Sequence, residues 1–167
     1  MDTATVFNVL TLFSLVLFFL IAKWYVLPAL LRLGPQEALV PLLLFSAFRY
    51  LGLAFLVPNW TDGLPAAFAT PAAYGDLTVG ILALGAAVAL HYRMGPGTML
   101  AWVYAVVGAL DFMYAGFLGG QNEAGLTIGP LWPLMTILGP AWMVAIVFLF
   151  RLLIWPAPVG SRQTVRT

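Results

Sequence analysis

An all-α transmembrane bundle of five helices is the fold class that this sequence predicts, and three observations predict it. Charged residues make up 8% of the 167 residues, against roughly 25% in soluble domains. Mean hydropathy is +1.01, far outside the globular range. Several apolar stretches exceed the ~20 residues needed to cross a hydrocarbon core. The expected surroundings are therefore a lipid bilayer. A net charge of +1 gives no electrostatic case for nucleic acid. With no cysteine in the chain, disulfides, thiolate metal sites, Cys-ligated clusters and a cysteine nucleophile are excluded.

The first span covers about Val6–Leu27 and ends in the interfacial cluster Lys23, Trp24 and Tyr25. Met1–Val6 has no basic residue and no small-residue cleavage site follows, so this reads as a retained helix and not a removed signal peptide. A second helix is expected to start near Pro35, a residue suited to a first helical turn, and to end at Val57 before Pro58. The third, about Ala73–Tyr92, is bounded by Pro71 and by the turn Arg93-Met94-Gly95-Pro96-Gly97. The fourth runs from Thr98 to Leu118 and stops at Gly119-Gly120. The fifth covers about Leu131–Trp155, with a kink expected at Gly139-Pro140 because proline removes one helical bond and clashes one turn back. Residues 1–155 form a single domain in this reading, and Pro156–Thr167 a flexible cytoplasmic tail.

Orientation follows from the basic residues. Lys23 and Arg32 flank the first connection, Arg93 the third, and Arg151, Arg162 and Arg166 the C-terminal end. The second and fourth connections hold no Lys or Arg. The positive-inside rule then puts the N-terminus outside and the C-terminus inside.

Arg49 is the one basic residue that breaks this pattern. It lies within the apolar run ALVPLLLFSAFRYLGLAFLV, Ala38 to Val57. A charge at such a depth costs roughly 2.5–3.5 kcal/mol on insertion scales, so it requires a partner. Two carboxylates are available, Asp76 and Asp111. At 1.5 Å per residue, Arg49 and Asp111 each lie ~12 Å below the outer ends of their helices, while Asp76 lies only ~5 Å below the surface. Asp111 is therefore the preferred partner. Tyr50 beside Arg49, and Tyr114 one turn outward of Asp111, are candidates to add hydroxyls. Asn8, Thr11 and Ser14 also fall in the outer half.

Two readings of this cluster stay open. One is an outward-facing polar pocket of Arg49, Asp76, Asp111, Tyr50 and Tyr114. The other is a buried clasp between helices, since polar contacts commonly join membrane helices at about 0.6 kcal/mol each. With one arginine and two aspartates, the cluster is net negative unless a proton or cation completes it. Asp76, Gly80, Ala83 and Ala87 form a small-residue stripe suited to tight helix packing. Trp142 is expected in the core, and Trp24, Trp60, Trp132 and Trp155 at the interfaces. His91, the only histidine, reads as an interfacial residue beside Arg93 rather than an axial ligand. No nucleophile, phosphate-loop or metal-ligand motif is present, and no cofactor is indicated.

The segments PLLLFSAFRYLGLAFLVP (Pro41–Pro58) and LPAAFATPAAYGDL (Leu64–Leu77) resemble those of a group of small, uncharacterised bacterial integral membrane proteins. That resemblance implies a bacterial cytoplasmic-membrane location, with Arg49, Tyr74 and Asp76 inside the matching segments. It implies no activity. Three function classes follow from the residues. The first is a non-enzymatic protein that binds a small solute, pigment or lipid, or serves as accessory subunit of a larger membrane complex. The second is a transporter, for which five helices without an inverted repeat would require a homo-oligomer. The third is a membrane enzyme with an aspartate base, for which no familiar motif is found.

Overall fold

A computed structural model describes residues 2–61 and 63–156, and these are all helix and connection. Apart from Pro156, the C-terminal tail lies outside the described residues. Among the described residues, four helices are long and apolar enough to cross a membrane: Thr3–Leu30 (α1), Ala66–His91 (α3), Gly97–Gln121 (α4) and Gly129–Ile154 (α5). Val40–Leu56 (α2) is apolar but shorter. Where the sequence predicts five spans, four helices meet the length of one. The second falls short at its start, because Pro35 sits in a turn and Pro41 instead takes the first helical turn.

Helix α2 also changes form along its length. It is α-helical over Val40–Ala47 and a 3₁₀-helix over Phe48–Leu56. The buried residues of the 3₁₀ part are Arg49, Gly52 and Phe55, a spacing of three. A 3₁₀-helix has three residues per turn, so these side chains stack on one face. In an α-helix each step of three would fall 60° short of a full turn. The sequence pattern thus fits the 3₁₀ geometry and not the α-helix first expected.

Helix α3 starts seven residues earlier than expected and takes Pro71 inside it. Pro71 lies in the second turn, where the bond it lacks would have gone to Ala67 in the first. Asp76 is therefore ten residues into the helix, ~15 Å from its end, and not near the surface. Helix α4 runs through Gly119-Gly120 to Gln121, where the Asn122 N–H and Nδ2 both donate to the Leu118 carbonyl. At the other end of α3, Arg93 adopts a left-handed conformation (φ 54°). The Arg93 N–H then reaches the Leu90 carbonyl and the Met94 N–H that of Ala89, closing the helix in a Schellman motif.

Two prolines are absorbed by the same device. A π-helical turn, Ala22–Val26, precedes Pro28, and another, Leu134–Leu138, precedes Pro140. In each the widened turn returns to α-helix at the next residue, with Leu27 N–H on Ala22 and Gly139 N–H on Leu134. The wider turn accommodates the carbonyls that a proline ring would otherwise strike.

Helix α3 is central, packed between α2 and α4; α5 lies across α2 and α4, and α1 rests mainly on α5. None of the residues Thr3–Ile21 is buried. The close approach of α2 to α3 depends on Gly80, where a Cβ would stand 3.0 Å from the Ala47 carbonyl oxygen.

Candidate functional site: a buried arginine cluster beside a cavity

Three helices converge on Arg49. Its Nε donates to Asp76 Oδ1 at 2.7 Å, and its Nη2 pairs with both Asp76 Oδ1 and Asp111 Oδ2. Nη1 reaches the Gly108 carbonyl at 3.4 Å. The guanidinium carbon lies 4.1 Å from the centre of the Phe112 ring, within cation–π range. Every nitrogen of the guanidinium has an acceptor, and the residue is 1% exposed. An ion held this way avoids the cost of an unpaired charge in an apolar surround.

Two glycines make the approach possible. A Cβ on Gly52 would stand 2.7 Å from Asp76 Cβ and 2.8 Å from its Cγ, and one on Gly75 would collide with the Asp111 carboxylate. Gly52 belongs to the period-three stripe of α2, and Gly75 precedes Asp76 on α3. Each aspartate therefore lies against a backbone, with its carboxylate turned to the arginine. With both carboxyls ionised, the cluster carries one positive and two negative charges.

Of the residues expected to meet here, Arg49, Asp76 and Asp111 do so, and both aspartates take part. Tyr50 and Tyr114 do not. They are 48% and 53% exposed on the outside of the bundle. On a 3₁₀-helix Tyr50 points 120° away from Arg49. The residues that sequence reasoning missed are Gly52, Gly75, the Gly108 carbonyl and Phe112. The spacing of Arg49, Gly52 and Phe55 was the available signal.

Beside the cluster lies a cavity of about 930 Å³. Arg49 and Asp76 line it, with Phe55, Phe68 and Trp142 on its inner walls. Helix α1 contributes Phe7, Asn8 and Thr11, and α4 the small residues Ala115, Gly116, Gly119 and Gly120. Nothing stands within 4 Å of where a Cβ on Gly116 or Gly120 would be. The lining residues Met113, Met143 and Val147 are well exposed, so the space communicates with the side of the bundle. Glu123 also lines it, in a left-handed conformation (φ 49°) just after α4. Asp111, Tyr50 and Tyr114 are not part of the lining. Trp142, expected in the core, is buried at 3%. Lys23 and His91 lie apart from both features, and among the described residues no group of three or more His, Cys, Asp or Glu could hold a metal ion.

No curated protein and no solved structure matches the chain. Residues 6–154 match the family described as Domain of unknown function (DUF8737). That match takes in all five apolar helices apart from the first turn of α1, and the chain belongs to this family.

Proposed function

We propose that this chain is a non-enzymatic integral protein of the bacterial cytoplasmic membrane that binds a small, largely apolar molecule in the cavity beside Arg49. The cavity is the observation that carries this reading. Its volume falls in the range of about 300–1,000 Å³ usual for ligand sites, and its mix of apolar walls and few polar groups is the usual one. Because it communicates with the side of the bundle, the ligand enters from the lipid phase. The Arg49 cluster forms the polar end of the site and fixes α2, α3 and α4 around it.

The proposal includes five spans, with the N-terminus outside and the C-terminus inside. Eight α-helical and nine 3₁₀ residues make α2 roughly 30 Å long, about the thickness of the hydrocarbon core. The segregation of Lys and Arg supports the orientation. The ion pair of Arg93 and Glu37 at 3.1 Å joins the first and third connections at one end, which supports the count of crossings between them. Reporter fusions after Glu123 and at Thr167 should read as outside and inside; a cytoplasmic signal from the Glu123 fusion would overturn the topology.

Native mass spectrometry of the protein released from nanodiscs tests the binding. A retained small-molecule adduct is expected on the wild type and not on Gly116→Leu, whose Cβ would have nothing within 4 Å and whose side chain would occupy cavity space. An adduct-free wild type, or an adduct indifferent to Gly116→Leu, would overturn the reading.

A further inference from the structure

The charges around the cavity point to one class of ligand. Arg49, Asp76 and Glu123 are its charged lining residues. The charge of Arg49 is more than balanced by Asp76 and Asp111, and of its five N–H groups only one, on Nη1, is left without an acceptor. What remains is negative: Asp76 holds Arg49 through Oδ1 alone, and its side chain keeps 12% exposure. Glu123 is exposed where α4 ends. Rings of Phe7, Phe55, Phe68 and Trp142 form much of the wall, and aromatic faces attract cations, most strongly where water is excluded.

We infer that the cavity takes a lipophilic organic cation, a molecule whose single positive charge is spread over an apolar body. An anionic lipid headgroup would meet the two carboxylates with no free cation in the lining to receive it. A small inorganic cation would leave the apolar walls unused. Glu123 at the outer end raises the local concentration of cations, and Asp76 at the inner end neutralises the bound charge. This inference rests on the cavity being a ligand site, as proposed above.

Tetraphenylphosphonium and tetraphenylborate share one shape and differ in sign, which makes them suitable probes for the full-length protein in neutral detergent. Equilibrium dialysis should show the phosphonium bound at least tenfold more tightly than the borate or neutral triphenylphosphine oxide. Its binding should weaken severalfold in Glu123→Gln and be lost in Gly116→Leu. If the borate or the neutral compound binds as tightly and remains sensitive to Gly116→Leu, the cation preference is wrong while the cavity reading stands. Phosphonium binding that ignores Gly116→Leu lies elsewhere and overturns the inference. If none of the three binds, the cavity reading fails and the inference with it.

Discussion

The two halves of the bundle are built from different materials. Toward the Arg93 end the core is mostly small and aliphatic, with Ala83, Ala86, Ala87, Ala101 and Ala105 each fully buried and Tyr104 and Phe148 as its buried aromatics. Toward the Glu123 end the core contains Phe55, Phe68, Ile128 and Trp142, and the large cavity lies beside it. In a membrane, helices gain nothing from leaving lipid for an equally apolar neighbour, so close packing of small residues and polar contacts must hold them together. The Arg93 half uses the first device. The other half uses the second, with Arg49 as the tie, and that leaves room for an empty volume next to it.

The largest effect should come from breaking that tie. Arg49→Met leaves two carboxylates facing each other in an apolar surround, and a buried pair that loses one member costs about 3–5 kcal/mol. Thermal unfolding in detergent should show this loss. The triple change Arg49→Met, Asp76→Leu and Asp111→Leu should recover most of it, because well-packed apolar residues often replace buried ions without penalty. If the triple variant binds no ligand yet is stable, the cluster is needed for the site and not for the fold.

Overpacking separates the halves next. Ala83→Leu, with no free space in the closed half, should destabilise by about 1–3 kcal/mol. Gly116→Leu at the cavity should cost little, within about 0.5 kcal/mol of wild type. Equal losses from the two would mean that the cavity closes in the membrane.

A smaller contrast lies among the glycines. Gly75→Ala and Gly52→Ala push a methyl group into a carboxylate and should each cost about 1–2 kcal/mol. Gly85→Ala, where nothing stands within 4 Å of the added atom, should stabilise α3 by up to about 1 kcal/mol. Urea or thermal titration of the three variants side by side gives the comparison.

The smallest effect is at the first turn of α1. Asp2 caps α1, accepting from the Thr5 N–H at 3.0 Å. Hydrogen bonding to Thr5, through its side chain and then its backbone, holds the Asp2 carboxyl below its ordinary value of 3.8. Since the folded value is the lower one, the cap's contribution is present above about 3.8 and disappears as pH falls through the folded value. The protection of the Thr5 amide against exchange, taken relative to its intrinsic rate at each pH, should fall on acidification below that range, and Asp2→Asn should remove the dependence.

Much of this architecture was legible in the sequence. Apolar length located the helices, and a charge amid Leu and Phe demanded carboxylates. Two things were not legible. Pro71 reads as a boundary, yet it sits in the second turn, where little of the helix precedes it, and the helix continues. Reading Pro71 as a boundary placed Asp76 too near the surface and made Asp111 the sole favoured partner. Tyr50 neighbours Arg49 in sequence only: successive side chains diverge by 100° on an α-helix and by 120° on a 3₁₀-helix, so it faces away from the cluster in either geometry. Empty space is harder still. It arises from Gly116 and Gly120 facing a helix that stays at a distance, and that distance is tertiary.

The period-three stripe Arg49, Gly52 and Phe55 carries a consequence for how the chain can change in length. One residue inserted between Arg49 and Phe55 rotates everything beyond it by about 120°. Phe55 would then leave the core and a neighbour would take its place. Three inserted residues restore the rotation and only lengthen the segment, by roughly 6 Å. In an α-helix the same three would leave a 60° error. Segment 49–55 should therefore tolerate insertions and deletions in multiples of three, a reading frame written in backbone geometry.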